Sequence, residues 1–545
     1  MAGRDGDGAP GGRQDESFAT LADPAAWPPA LEQPGDAPIR RVDTHAAAVF
    51  LGKRHVLKIK RAVRFSFLDF TTVDRRRAVC EAELRLNRRT APEIYLRTGA
   101  IVRRGDGLAL LDDAADAGGH PVVDWLVVMR RFDEDGLLAD VAKSGRLTDS
   151  ICDEVARQVA ALHRAEAPRR DLGGVPALQR TLEGALGEIH AHDDDGILDA
   201  ERVAAAEEAL RAAFEAARDG IEARRRDGFV RHVHGDLHLG NICLFGGQPR
   251  LFDCIEFNEE FAVIDILYDL AFLLMDLWHA GRPAQANRVL NFWLEDLHDM
   301  PARLDGLSLL PLYLALRAAI RTHVHCSMAA VQQDAAAARS QAETAQAYLA
   351  ELTAFLAPAQ PVLLGIGGLS GTGKSTLARR LAPMLGRIPG AVVLRSDAIR
   401  KAMWGVSPTE KLPTEAYAAG QSEAVYAELR RQAAAALQAG QAVIADAVHA
   451  RPEERAALAD LARECGVPFH GLWLDAPDPE LEARLAARHG DVSDADSAVL
   501  QRQRAYDIGP LDWSRVATGG GIDATVAAVR DVMPGGWLRV PPGMA

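Results

Sequence analysis

The segment Gly368-Leu-Ser-Gly-Thr-Gly-Lys-Ser375 sets glycines, a lysine and a hydroxyl at the spacing G-x-x-x-x-G-K-[ST]. Glycines let backbone N–H groups curl around phosphate oxygens, and a helix N-terminus behind them adds its positive end. In this pattern Gly368, Ser370, Gly371, Thr372, Gly373 and Thr376 shape a nucleotide site. Lys374 reaches the β- and γ-phosphates of ATP, and Ser375 offers its hydroxyl to Mg²⁺. The next strand-like run ends in Leu394-Arg-Ser-Asp397-Ala-Ile-Arg400. Ligands of open α/β sheets bind beyond strand carboxyl ends. Asp397 is therefore placed to take the proton of an acceptor hydroxyl, and Arg400 to hold a substrate anion or phosphate. An Asp in this place also caps helices. Asp446, closing Val443-Ile-Ala-Asp446, suits a metal or its water, or simply ends a strand. Arg484 and Arg488, four apart on one helical face, suit a lid over a transferring phosphoryl group; a solvated basic face is the plainer alternative.

A second constellation stands earlier, in His234-Gly-Asp236-Leu-His238-Leu-Gly-Asn241 and Leu251-Phe-Asp253-Cys-Ile-Glu256. A carboxylate, an amide shortly after it and a second carboxylate beyond a short hairpin meet the needs of phosphoryl transfer. Asp236 would accept the hydroxyl proton, while Asn241 and Asp253 hold Mg²⁺ on the ATP phosphates. The His234/His238 spacing is explained better by this loop than by a metal site. Asp265 and Asp269, on the apolar stretch that follows, are expected to brace the loop through hydrogen bonds.

Elements must position these groups. Residues 1–35, rich in Gly, Asp, Pro and Ala, are expected to be disordered. From Ile39, VFL and HVLKIK read as strands around a Gly52-Lys53 turn, followed by a helix from Asp74 to Arg89. WLVVMRRF is a further strand, and Thr148/Ser150 open a long helical region. Helix dominates to Leu356, and Ala357-Pro358-Ala359-Gln360-Pro361 breaks the pattern, which sets a domain boundary there. Beyond it, VLLGIGG, AVVLRSD, QAVIADA and FHGLWLD alternate with amphipathic helices, the pattern of a parallel sheet covered on both faces. The expected folds are an α+β two-lobed domain over 36–356 and an α/β P-loop NTPase domain with a parallel sheet over 357–545. That boundary leads to the expectation that the two fold separately, and a lysine, metal ligands and base in each half to the expectation that their sites are chemically independent.

Composition narrows the function classes. The net charge of -14 repels phosphate backbones and anionic membranes, so nucleic-acid and membrane partners are disfavoured. The most apolar candidate for a spanning helix, Val263–Leu277, carries Asp265, Asp269 and Asp276 and reads as a buried helix instead. Six dispersed cysteines form neither a disulfide framework nor a zinc site, and a reducing cytoplasm fits.

Residues 361–545 resemble the small P-loop kinases related to gluconate kinase, zeta toxins and 5′-hydroxyl polynucleotide kinases. That resemblance implies a catalytic base at Asp397, substrate binding by Arg400 and charge stabilisation by Arg484 and Arg488. Residues 36–350, through H-G-D-x-x-x-x-N and the following Asp253, resemble the aminoglycoside and choline phosphotransferases, which are protein-kinase-like. Lys58 then stands where a lysine contacts the α- and β-phosphates, with Lys60 as a competing neighbour. Glu83 is its implied ion-pair partner, and Glu81 competes. No G-x-G-x-x-G loop precedes Lys58; Thr44-His-Ala-Ala-Ala occupies that place. The pair of domains resembles the family of bifunctional aminoglycoside phosphotransferase/ATP-binding proteins. It implies an ATP- and Mg²⁺-dependent tandem kinase for small hydroxylated molecules. The alternatives are a P-loop kinase with a regulatory N-terminal half, a nucleotide-switched interaction protein and a 5′-hydroxyl polynucleotide kinase.

Overall fold

The computed structural model describes residues 11–31, 38–65, 68–300, 302–407, 410–486, 494, 497–541 and 543. They form two compact units. One comprises the described residues of Met1–Gly173 and Val230–Asp269, the other those of Gly174–Phe229 and Leu270–Ala545. The expected boundary near 357 thus lies inside the second unit. The break there does end a helix at Leu356, but the helices before it share a compact unit with the P-loop fold, and one of them, Pro283–Asp296, packs directly against it.

The first unit opens with an element that composition had assigned to disorder. Gly11–Ala22 is a helix (α1), and Phe18, Leu21, Trp27 and Leu31 bury into the core of the following sheet. Four well-spaced apolar side chains suffice because each meets Phe50, Leu57 or their neighbours. Gln14 of α1 donates to the Lys60 carbonyl (2.7 Å) and Asp124 Oδ2 (2.9 Å), and accepts from Ala62 N–H (2.8 Å). The sheet comprises β1 (Arg40–Asp43), β2 (Ala47–Leu51), β3 (His55–Lys60), β4 (Tyr95–Arg104), β5 (Gly107–Leu111) and β6 (Val122–Arg130). Its order is β1-β2-β3-β6-β4-β5, antiparallel throughout. Helix α2 (Val73–Asn87) starts at a Thr72 cap, and α3 (Asp149–Ala165) starts at Thr148, as the start signal predicts. The later segment adds β7 (Val230–His232), the hairpin β8 (Ile242–Phe245) and β9 (Gln248–Leu251), and β10 (Val263–Asp265), which pairs with β7. Val263–Leu277, read from sequence as one buried helix, therefore begins as a strand.

The second unit contains α4 (Gly174–His190), α5 (Ala200–Arg226), α6 (Ile266–His279, from Leu270 on), α7 (Pro283–Asp296), α8 (Leu310–Val331) and α9 (Ala335–Leu356). A five-stranded parallel sheet follows, from β11 (Leu363–Gly367), β12 (Val392–Arg395), β13 (Val443–Asp446), β14 (Phe469–Asp475) and β15 (Ser514–Ala517). Its order is β12-β13-β11-β14-β15. The covering helices include α10 (Lys374–Leu381), α11 (Ser396–Met403), α12 (Ala419–Gln438), α13 (Pro452–Glu464) and α14 (Gly521–Val532). Strands buried on both faces carry near-continuous apolar runs, as in Leu363–Gly367 and Val443–Asp446.

Edge strand β12 is covered by α7. Asn287 and Asn291 donate to the Ala391 carbonyl (3.0 and 3.2 Å), and Asn291 Oδ1 accepts from Val393 N–H (2.7 Å). One turn further, Glu295 takes Arg395 Nε (2.9 Å) and Nη2 (2.6 Å). Among the described residues no helix is long and apolar enough to cross a membrane.

Candidate active sites

In the first unit the period of two along β3 turns Lys58 and Lys60 to one face, so both reach α2. Lys58 Nζ lies 2.7 Å from Glu83 Oε1 and 2.5 Å from Asp253 Oδ1. Lys60 Nζ lies 2.8 Å from Glu83 Oε2 and 2.5 Å from Glu256 Oε1. Glu83 is wholly buried; burial would raise its pKa, yet the two ammonium groups hold it well below the usual carboxylate range. Of the competing lysines, Lys58 is thus the one against Asp253, while Glu81 turns to Arg77 (2.9 Å). Glu256 was missed by sequence reasoning, although its place three residues after Asp253 was a usable signal.

The H-G-D segment follows β7. Gly235 has φ +84, and a Cβ there would come within 2.9 Å of the Phe261 carbonyl, so glycine is required. Asp269 accepts from the N–H groups of His234 (3.3 Å) and Gly235 (2.8 Å) and contacts His163 Nε2 (3.0 Å), which braces the loop as expected. Asp265, the last residue of β10, accepts from Leu267 N–H (2.8 Å) at the start of α6. Asn241 Nδ2 donates to the carbonyl and Oδ2 of Asp236, both at 2.9 Å, which leaves its amide oxygen for a cation. His238 Nε2 stands 3.5 Å from Asp236 Oδ2. Asp253 adopts φ +62, a strained conformation for a side chain of its kind, held by Tyr95 Oη on its N–H (3.1 Å) and by Asn87 Oδ1 on that of Cys254 (2.9 Å). The structure therefore gathers Lys58, Glu83 and Asp253 in one group and Asp236 with Asn241 in another. The turn before β2 is tight, closed by Thr44 N–H on the Ala47 carbonyl (2.8 Å).

In the second unit β11 runs into the phosphate-binding loop, with Gly368, Gly371 and Gly373 all at positive φ, and α10 starts at Lys374. Lys374 Nζ bends over the loop onto the carbonyls of Gly368 (2.9 Å) and Leu369 (3.0 Å). Ser370 N–H is held by Gln503 Oε1 (2.8 Å), Thr372 Oγ1 donates to the Leu369 carbonyl (2.8 Å), and Thr376 is exposed. Ser375 Oγ donates to Asp446 Oδ2 at 2.6 Å. Burial pushes the Asp446 carboxyl above its usual range, against the opposing Lys374 charge and Ser375 hydrogen bond. This pair of hard oxygen donors suits a hard divalent cation.

A cavity of about 820 Å³ opens beyond the strand ends, lined by Lys374, Ser375, Asp397, Arg400 and Asp446 among others. Asp397 lies in the first turn of α11, whose capping position is Arg395; its carboxylate makes no hydrogen bond among the described residues. Arg400 is 6 % exposed, donates Nη1 to the Ala416 carbonyl (2.6 Å) and lies 4.9 Å from the Tyr417 ring, while its Nε has no partner among the described residues. Arg395, Tyr417, Tyr426, Arg430, Arg451 and Arg502 also line the cavity and were not singled out from sequence. Arg484 is not among the lining residues; it is tied to the Thr518 carbonyl (2.6 Å) and Glu480 (3.1 Å) beside the loop. Arg488 and most of the expected lid lie outside the described residues.

Residues 71–307 match the model of the phosphotransferase enzyme family, and residues 363–507 match that of an AAA domain. Uncharacterized proteins of Mycobacterium tuberculosis and Mycobacterium bovis are each 31% identical over 480 residues, covering 86% of this chain and 90% of their own. Among solved structures, a choline/ethanolamine kinase family protein from Mesorhizobium loti is similar over 63% of this chain and 95% of its own, at 15% identity and TM-score 0.36. A gluconokinase from Sinorhizobium meliloti 1021 is similar over 31% and 93%, at 20% identity and TM-score 0.23. With a phosphotransferase module and a P-loop kinase module in the expected order, and relatives matched along most of their length, the chain belongs to the family of bifunctional aminoglycoside phosphotransferase/ATP-binding proteins.

Proposed function

We infer that the protein is a tandem kinase, each half transferring the γ-phosphate of Mg-ATP to a hydroxyl group of a small molecule. One observation carries the reading furthest. Asp397, with no hydrogen bond of its own among the described residues, faces the same cavity as Lys374, Ser375 and Asp446. A base, a phosphate-binding lysine and a metal-type donor pair are the parts that phosphoryl transfer needs.

In the P-loop half, Lys374 and the loop N–H groups hold the β- and γ-phosphates, and Arg400 orients the acceptor. The acceptor oxygen forms a bond to the γ-phosphorus as the bond to the β,γ-bridging oxygen breaks. Asp397 takes the hydroxyl proton, and ADP leaves. In the other half Asp236 takes that proton and Lys58 contacts the α- and β-phosphates. Magnesium, when bound, neutralises charge on the phosphate oxygens; Ser375 and Asp446 would hold it in one half, Asn241 and Asp253 in the other. A second reading, in which the N-terminal half senses nucleotide without transferring phosphate, draws on the tight glycine-free turn at Thr44 in place of a phosphate-covering loop.

The test is a screen of sugars, nucleosides, aminoglycosides and oligonucleotides for label transfer from γ-labelled ATP by the full chain. Transfer well above hydrolysis by water is expected. Asp397→Asn should lower the P-loop share by on the order of 10²–10⁴ while ATP binding survives, and Asp236→Asn should do the same for the other share. If Asp236→Asn leaves every transferring acceptor untouched, the N-terminal half is regulatory. If no acceptor outcompetes water, the protein is a nucleotide switch and the kinase reading fails.

A further inference from the structure

We propose that Glu295, on a helix that precedes the P-loop fold by a long stretch of chain, is a positioning residue for the P-loop site: it fixes Arg395 as a second cation for the γ-phosphate. The inference rests on the reading of this half as a kinase.

Arg395 is the last residue of β12, at the end of the strand where open α/β sheets bind ligands. It pairs in register with Asp446 of the neighbouring strand, so both side chains project from the same face of the sheet. On that face, one pleat earlier, Val393 and Ile444 belong to the apolar core under α10, the helix that begins at Lys374. Arg395 and Asp446 thus emerge where the apolar layer ends and the phosphate-binding loop begins, and both line the cavity with Lys374. Asp446 already holds Ser375, the hydroxyl of the metal-type pair, which puts Arg395 on the γ-phosphate side of the loop.

An arginine side chain has four torsions and a planar fork of donors, so a fixed direction needs a partner that engages the plane. Glu295 does so with both oxygens on Nε and Nη2, and the Arg395 side chain is left 6 % exposed. Edge coverage does not require this pair. Asn287 and Asn291, two turns and one turn earlier on α7, already satisfy the Ala391 carbonyl and the Val393 N–H. Partly buried ion pairs are poor sources of stability because desolvation offsets their attraction. What the pair does supply is a guanidinium with a set plane in the wall of a phosphate-binding cavity, the geometry in which arginine stabilises transferring phosphoryl groups.

The experiment uses the full chain in an Asp253→Asn background, which removes an N-terminal metal ligand. P-loop binding is defined as the part of Mg²⁺-nucleotide binding lost on Lys374→Ala. Affinities for AMP-PNP and ADP are measured by titration calorimetry. With Glu295→Gln, AMP-PNP should weaken by about tenfold or more while ADP changes by less than about twofold, as expected for losing one charge-assisted contact to the γ-phosphate alone. The exchange Glu295→Arg with Arg395→Glu rebuilds an ion pair with its cation on the helix. It should restore the melting temperature and not the preference for AMP-PNP. Equal weakening of both nucleotides, no weakening, or recovery of AMP-PNP affinity in the exchanged protein would show a merely structural pair and overturn the proposal. If Glu295→Gln does not unfold cooperatively, Glu295→Asp, which keeps the charge and shortens the reach, makes the same comparison. Wild-type protein without Lys374-dependent AMP-PNP binding would remove the kinase reading of this half, and the proposal with it.

Discussion

His449 stands just beyond the Asp446 strand at φ +48, fully buried, with its ring 5.4 Å from that of Tyr426 and 5.3 Å from that of Trp513. Its N–H donates to Tyr426 Oη (3.1 Å) and its carbonyl accepts from Arg455 Nη1 (3.0 Å). Burial pushes the imidazole down to about 3, from an ordinary value near 6.5. Between those values the unfolded chain binds a proton that the folded chain refuses, so stability falls as pH drops below about 6.5. At pH 5 the loss from this one group is on the order of 2 kcal/mol. His449→Gln removes the titration, and its unfolding free energy should decline less than that of the wild type between pH 7 and pH 5 in urea titrations. Parallel declines would mean that the proton goes elsewhere. At this scale, local spacing in the sequence pointed to Lys374, Ser375 and Asp446, and the structure brings them together. It left Lys58 and Lys60 unresolved for a physical reason: residues two apart on a strand share a face, and only the third dimension sets Asp253 against one and Glu256 against the other. Arg395 stayed hidden because its partner is 100 residues away.

Helix α1 shows what composition misses in an element. Gly, Pro and Asp dominate its surroundings, yet Phe18 and Leu21 stand three apart on one side of the helix, and Trp27 and Leu31 join the same core from the turns beyond it. More telling is Gln14, which is polar and was therefore uninformative in the sequence, but which fills the backbone pairing left open beyond β3 at Lys60 and Ala62. Gln14→Ala removes the partner of the buried Lys60 carbonyl, at about 1–3 kcal/mol, and that of the half-buried Ala62 N–H, which costs less. Urea unfolding of the full chain should show that cost. Deletion of residues 1–31 should destabilise the first unit further by exposing Phe50 and Leu57. A deletion variant that melts with the wild type would return the segment to the status of a tail. The parallel strands were legible because buried strands of this type are continuous apolar runs bounded by turns. The start of β10 was not, because a three-residue strand leading into a helix leaves no period of its own.

For the whole molecule, the proline break at 357–361 suggested two separable domains, but the compact units cross it. Residues 71–307 are one family module by descent, whereas helices α4 to α9 share a unit with the P-loop sheet. A fragment beginning at Ala357 would leave β12 without the amides of Asn287 and Asn291 and Arg395 without Glu295. A bare edge strand invites pairing with other chains. The fragment should therefore melt lower than the second-unit transition of the full chain, by on the order of 10 °C, and self-associate on size-exclusion chromatography. A monomeric fragment with an unchanged melting temperature would show that the edge needs no cover. The interleaving of the units also gives the chain a timetable during synthesis. The first unit has all its residues once Asp269 has emerged, whereas α4 and α5, made earlier, are packed with α8, α9 and one another in the finished protein. At about 5–20 residues per second, the rest of the chain takes on the order of 10–60 s to leave the ribosome. For part of that interval the apolar sides of α4 and α5 wait in the open, so the nascent chain is most dependent on chaperones before the segments that cover them have been made.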